Sequence, residues 1–338
     1  MTVWGLDTPA HNGNMSTLDI RTIAFPDPDI LAKVDGRITD HQQTGIEFVV
    51  WSAENPTVEV NRATIDAIIL PYIDAQPTVA RLGELPNLKL VQTQTTGYDL
   101  VADLVGTETT VATASGVHAA ATAELAVGLT LASLRGIDAA VRNMAARAWN
   151  HARMRSLADR RVMILGAGGI GEAIRQRLIP FETHITRVAS HARTDEYGRI
   201  HGPEDLPKLL PHTEVVIAVT PLTKQTEKLI DAEFLSQLPD NALVVNVGRG
   251  KVVDTDALVT ELRAGRLSAA FDVVDPEPLP HEHPLWGTPN THSSHRTWEG
   301  TPRRLNPALN RCSRNRCAES SPANHSSTSS KGKGAVAG

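Results

Sequence analysis

In "RVMILGAGGIGEAIRQRL" three glycines stand where a chain can hold a phosphate. The apolar run 161–165 leads straight into Gly166-x-Gly168-x-x-Gly171, and Ile170, Ala173, Ile174 and Leu178 then keep helical spacing. The first glycine permits a tight turn, and the second lets backbone approach a pyrophosphate. The third allows close helix–strand packing, with the phosphates at the helix N-terminus. Three glycines alone are a weak signal, which the strand before them and the helix after them strengthen. A purely structural glycine turn is the competing reading. The end of the next strand selects the dinucleotide. An NAD site places Asp or Glu about 20 residues on, where it holds the ribose 2′-hydroxyl. Here "VASHARTDEYG" puts Ser190 near that place, followed by His191 and Arg193. A carboxylate would repel a 2′-phosphate, whereas a hydroxyl and a guanidinium would hold it. The expected cofactor is NAD(P)(H), with a preference for NADP(H). Asp195 is the alternative acid if the strand ends later.

The elements that carry these residues read as strands alternating with helices. "EFVVWS", "DAIILPY" and "LKLVQTQ" read as strands, and "PTVARLGEL" as a helix. "HAAATAELAVGLTLASLRGI" (118–137) is free of Pro and reads as one buried helix. After "RVMIL" the rhythm repeats through "ITRVAS", "EVVIAVT", "ALVVNVG" and "LSAAFDVV". Near-continuous apolar strands alternating with helices imply parallel sheets covered on both faces. The expected class is α/β, with two Rossmann-like domains built on doubly wound parallel sheets at about 20–112 and 118–290.

Bulk properties bound the function. A length of 338 residues suits two domains. The longest apolar runs, such as 215–219, fall far short of the roughly 20 residues that span a bilayer. Residues 1–17 are polar and unpatterned, with Met15 a candidate start and no signal peptide expected. A formal charge of −5 disfavours nucleic acid or an anionic membrane as partner. The two cysteines, Cys312 and Cys317, lie near the C-terminus, so the body carries no disulfide and a cytoplasmic location is expected. Their spacing, with His325 downstream, is poor for zinc, and no metal is expected.

Six motifs in order, "TTGYD" (95–99), "GVHAAATAELAVG" (116–128), the glycine turn, "TPLTKQT" (220–226), "NVGRGKVVD" (246–254) and "DVVDPEPLP" (272–280), resemble those of the D-isomer-specific 2-hydroxyacid dehydrogenases. The resemblance spans roughly 60–290. It implies hydride transfer between a nicotinamide and C2 of a 2-hydroxy acid, mainly as ketoacid reduction. It further implies a substrate domain at 1–115, into which a cofactor domain at 116–290 is inserted, and a homodimer. Arg249 matches the arginine that holds the substrate carboxylate and ketone oxygen, a task suited to its planar fork. Glu277 matches the carboxylate that orients the catalytic histidine and raises its pKa. The backbone amides of Thr96 and Gly97 match the loop that holds the substrate carboxylate. Asp272 matches the residue near the nicotinamide carboxamide, and Gly169, Ile170, Thr220, Pro221 and Val247 complete the implied cofactor set. Low aromatic content, 4 %, and no phosphate-binding cluster in 60–100 favour a small, unphosphorylated acid.

The family histidine belongs to a Thr-Pro-His-x-Gly-Gly motif six residues after the Asn of "PN". This chain has "PNTHSSHRTWEG", with His295 five residues after Asn290 and His292 closer still. Neither matches the pattern; His295 is the candidate acid–base group. The codons for 291–300 can be written ACN CAY TCN TCN CAY CGN ACN TGG GAR GGN. Read from the third base, they admit Thr-Phe-Ile-Thr-Pro-His-Val-Gly-Gly, with the histidine six places after Asn290. A frameshift near Asn290–Thr291 is therefore the preferred account of 291–338, which would then be an aberrant, disordered tail. Its composition agrees: from Arg296 there are eight Lys/Arg, two Glu and few large apolar residues, too little to bury a core. A genuine basic, Ser-rich tail is the rival. A catalytically impaired dinucleotide-binding protein is accordingly the alternative function.

Overall fold

The computed structural model describes residues 18–35, 45–53, 60–72, 74–97, 99–102, 104–106, 108–288 and 291–293. The first sheet contains β1 (Thr22–Phe25), β2 (Glu47–Val50), β3 (Ala67–Ile69), β4 (Leu90–Gln92) and β5 (Thr110–Ala112). They lie in the order β2-β1-β3-β4-β5, and every pairing is parallel. The runs are short and apolar because both faces are covered: Ala24, Ile68 and Val91 are fully buried, with Val79, Leu82 and Leu85 packed on them. "PTVARLGEL" forms a helical turn, Gln76–Val79, and a separate 3-10 turn, Leu82–Glu84, rather than one helix. Gly83 sits in the second turn, where a glycine costs helix about 1 kcal/mol relative to Ala.

The second sheet contains β6 (Arg161–Leu165), β7 (His184–Val188), β8 (Arg193–Asp195), β9 (Gly198–His201), β10 (Val215–Ala218), β11 (Leu243–Asn246), β12 (Ser268–Phe271) and β13 (Thr291–Ser293). Their order is β13-β12-β11-β10-β6-β7-β9-β8, parallel throughout except for the β8–β9 pair. The chain runs outward from β6 on one side and then crosses to β10 on the other. A doubly wound sheet opens its ligand crevice at such a reversal, beyond the carboxyl ends of the strands. Val215, Val216, Ile217 and Ala218 of β10 are all fully buried. The long helix Ala119–Arg135 lies against this sheet, where Ala123, Ala126 and Leu134 join Ile174 and Leu178 of the helix Gly169–Leu178 in one cluster. Its small residues permit that close approach.

Three features depart from the sequence expectations. The helical stretch breaks at Gly136, whose φ of 60° ends the first helix in the left-handed conformation. A second helix, Ile137–Ala145, follows and carries no buried residue. The segment after β7 folds back as the β8–β9 hairpin, with Gly198 at φ 105° in its turn. Finally, the sheet continues past Asn290: Thr291, His292 and Ser293 pair with Ala269, Ala270 and Phe271, although the sequence placed them in the tail. An edge strand needs only backbone groups to pair, so its lack of an apolar pattern does not prevent it. Residues 294–338, and with them His295, Cys312, Cys317 and His325, lie outside the described residues. Among the described residues no single helix is long and apolar enough to cross a membrane. No cluster of three His, Cys, Asp or Glu suited to a metal occurs among them either.

Candidate active site

The glycine turn closes on backbone. Gly166 has φ 117°, and a Cβ there would lie 3.0 Å from Val219 C and O. A Cβ on Gly171 would collide with the carbonyl oxygen of Gly166. These two glycines are required by packing alone. Gly168 and Gly169 differ: nothing lies within 4 Å of a Cβ at either. Open space beside the first amides of the helix Gly169–Leu178 is what a pyrophosphate needs. Thr220 Oγ1, at the next strand end, is buried with no hydrogen-bond partner among the described residues. The residues present therefore fit a dinucleotide.

β7 ends at Val188, two residues before Ser190, so the strand does not extend to Asp195. Ser190 Oγ lies 3.0 Å from His191 Nδ1, and Arg193 is exposed at the start of β8. Asp195 is engaged within the protein: the buried Arg187 donates Nη1 and Nη2 to its two oxygens at 2.7 Å each. That forked bond is the main reason its carboxyl is held down to about 2. Tyr197, on the same hairpin, takes the Arg175 guanidinium 4.0 Å from its ring centre. The Arg187 pairing argues against Asp195 as the acid that would grip a ribose.

On the opposite side of the switch point, the loop after β11 presents Arg249. Asn246, 1 % exposed, donates Nδ2 to Arg249 O at 2.9 Å and accepts the Gly248 amide at 3.1 Å. A Cβ on Gly250 would strike the carbonyl of Val274, so this turn is pressed against the segment that carries Asp272 and Glu277. Val247 and Asp272 are buried at the adjoining strand ends, and Glu277 is exposed beyond them. The Arg249 side chain crosses to the first sheet. Nε donates to Asp99 Oδ1 at 3.0 Å and Nη1 to Gly248 O at 3.0 Å. A Cβ on Gly97 would overlap Nη2. The guanidinium therefore lies directly on the Thr96–Gly97 loop, where Thr96 Oγ1 is also buried without a partner among the described residues. His295, the histidine expected to partner Glu277, lies outside the described residues.

Three residues reach this cleft that the sequence reading did not single out. Asp99 stood inside "TTGYD" without a role. Tyr72 follows β3, and burial, together with the charge of Asp272, raises its pKa above the usual 10.0. His118 packs its ring 5.6 Å from that of Tyr72 and places Nε2 2.8 Å from Gln94 O. Each is far in sequence from the partner that gives it meaning, so local pattern offered no signal. A separate cleft of about 430 Å³ lies between Asp159, Arg161, His184 and His212. It opens at the amino ends of β6 and β7, the end a doubly wound sheet does not use for its nucleotide.

Known proteins resemble this chain in sequence and in fold. Residues 127–295 match the family described as "D-isomer specific 2-hydroxyacid dehydrogenase, NAD binding domain". The chain is 36 % identical to a glyoxylate reductase of Thermofilum pendens over 59 % of its own length and 62 % of that protein's. It is 30 % identical to a mitochondrial formate dehydrogenase of Solanum tuberosum over 74 % of its own length and 69 % of that protein's. A D-isomer-specific 2-hydroxyacid dehydrogenase of Xanthobacter autotrophicus Py2, solved with NADPH and MES, superposes with a TM-score of 0.68 at 27 % identity, covering 81 % of this chain and 87 % of that one.

Proposed function

Because this chain belongs to the D-isomer-specific 2-hydroxyacid dehydrogenase family, we propose that it reduces a small 2-ketoacid to the 2-hydroxy acid. The observation that carries this reading is the Arg249 guanidinium lying on the Thr96–Gly97 loop, a cation and backbone amides gathered at one point between the sheets. A bound nicotinamide dinucleotide supplies the hydride. Gly168, Gly169 and the helix that follows would receive the pyrophosphate, with Ile170 in the first turn, and Thr220, Pro221 and Val247 would complete the dinucleotide's seat. Arg249 clamps the substrate carboxylate and draws charge toward the ketone oxygen, while the Thr96 and Gly97 amides hold the other carboxylate edge. Asp272, buried at the adjoining strand end, is the residue that would meet the nicotinamide carboxamide. The oxygen formed at C2 takes a proton from a histidine oriented by Glu277, a role for which His295 is the candidate.

We assign NADP(H) as the preferred cofactor. Ser190 follows the end of β7 and Arg193 opens β8, a hydroxyl and a guanidinium suited to a 2′-phosphate, while Asp195 takes the forked bond of Arg187. NADPH in the Xanthobacter relative supports the assignment. The exposed Ile137, Val141 and Met144 lie on one face of the helix Ile137–Ala145, with Trp149 just beyond, and suit burial in a homodimer.

A second reading rests on the missing Thr-Pro-His-x-Gly-Gly motif: the chain binds dinucleotide but turns over poorly. One experiment separates the two. NADPH and NADH are titrated into the full chain by fluorescence, and glyoxylate and related 2-ketoacids are then supplied to the complex. Reduction supports the first reading, and binding without reduction supports the second. Failure to bind either nucleotide defeats both.

A further inference from the structure

We propose that Asp99 is the positioning residue for Arg249, fixing its fork across the cleft so that one edge stays turned to the substrate anion. This rests on the reading of Arg249 given above. Arginine carries five N–H donors on a rigid plane. Asp99 Oδ1 takes the Nε–H at 3.0 Å and Gly248 O takes one Nη1–H at 3.0 Å. Among the described residues, one N–H on Nη1 and two on Nη2 have no acceptor and remain for a ligand. The absent side chain of Gly97 lets Nη2 settle over that loop, so Asp99 and Gly97 define the seat together. Asp99 and Arg249 are 150 residues apart, on segments that follow β4 and β11. The bond therefore joins the two halves of the cleft.

An ordinary surface ion pair contributes little, but this pair is partly withdrawn from solvent, at 22 % and 36 % exposure. The sign of the effect also distinguishes the two roles. Asp99 places a negative charge beside a cation meant to bind an anion. If its only influence were that charge, neutralising it would tighten anion binding. If it positions the fork, neutralising it weakens anion binding, because the guanidinium loses the bond that fixes its plane.

The test measures oxalate binding to the NADPH complex of the full chain by calorimetry, which does not depend on turnover. Unaltered protein is compared with Asp99→Asn, Asp99→Ala and Arg249→Ala. Asn keeps an acceptor oxygen, so Asp99→Asn should weaken oxalate by roughly three- to tenfold and Asp99→Ala by roughly ten- to a hundredfold, the range of a lost hydrogen bond to a charged group. NADPH affinity should hold in all three, which also shows that they fold. Unchanged or tighter oxalate binding by Asp99→Asn overturns the proposal and leaves the role of Arg249 intact, provided Arg249→Ala still loses oxalate. If Arg249→Ala binds oxalate normally, or the unaltered complex binds none, the reading of Arg249 fails and this proposal fails with it.

Discussion

Replacing Gly168 and Gly171 separately with Ala should split folding from cofactor binding. At Gly168 a methyl meets nothing within 4 Å, and the backbone at φ −89°, ψ −166° suits any residue. Losing glycine there gains about 0.4–1 kcal/mol from the unfolded chain. The position caps the helix Gly169–Leu178, where Ala is poorer than Gly by about 1 kcal/mol. The two nearly cancel, so the melting temperature should move by no more than about 2 °C, given about 2–4 °C per kcal/mol for domains of this size. The methyl would nonetheless stand where the pyrophosphate approaches, and NADPH affinity should fall at least about tenfold, or 1.4 kcal/mol. At Gly171 the new methyl collides with the Gly166 carbonyl. Both partners are backbone, so neither can swing away. A clash this close against backbone belongs in the upper part of the overpacking range, about 2–3 kcal/mol, and a helix gain of at most about 1 kcal/mol leaves a net loss of about 1–2 kcal/mol. A fall of roughly 2–8 °C follows, together with weaker NADPH binding as the turn distorts. Differential scanning calorimetry and fluorescence titration read the two effects. Undiminished NADPH affinity in Gly168→Ala refutes the path assigned to the pyrophosphate. An unshifted melting temperature in Gly171→Ala refutes the packing argument.

Arg193→Ala should weaken NADPH by about ten- to a hundredfold, the worth of a hydrogen bond between charged groups, and NADH far less. Equal losses in fluorescence titration would remove Arg193 from the 2′-phosphate site. Arg249→Lys should abolish ketoacid reduction and leave NADPH binding intact, since Lys lacks the fork; unchanged turnover would exclude Arg249 from the site. Restoring the Thr-Pro-His-x-Gly-Gly reading after Asn290 should raise ketoacid reduction by about 10² or more, the lower end of what a placed acid–base group contributes. Turnover of the chain as it stands at about 1–10³ per second, lost in His295→Asn, would instead make His295 the acid–base group. Asp195 is held at about 2, so the part of the hairpin's stability owed to its Arg187 bond is complete above its ordinary 3.8 and lost as pH falls through 2. The Tyr197 amide, which donates to Asp195 Oδ1 at 2.9 Å, should report that midpoint by NMR. A midpoint near 3.8 would show that the pair does not persist in solution.

The alternation of apolar runs and helical spacing was sufficient for two parallel sheets, because residues buried on both faces of a sheet leave a continuous apolar signature. The glycine turn was legible for a similar reason: Gly166 and Gly171 are demanded by contacts within a few residues or with the adjoining strand. Arg249 was legible only through its motif, since an arginine at a strand end has no local signature of its own. Tertiary structure decided what it touches. The Gly97 loop, Asp99 and Arg249 come together because both strand ends open on one cleft, and no spacing along the chain encodes that meeting. The same holds for Asp195. Its distance from the glycine turn allowed a ribose contact, yet the β8–β9 hairpin turns it onto Arg187, which draws it away through two charged hydrogen bonds. Sequence determined which side chains could do chemistry. The fold determined which of them were already committed to each other, because pairing between distant segments depends on where the backbone carries them.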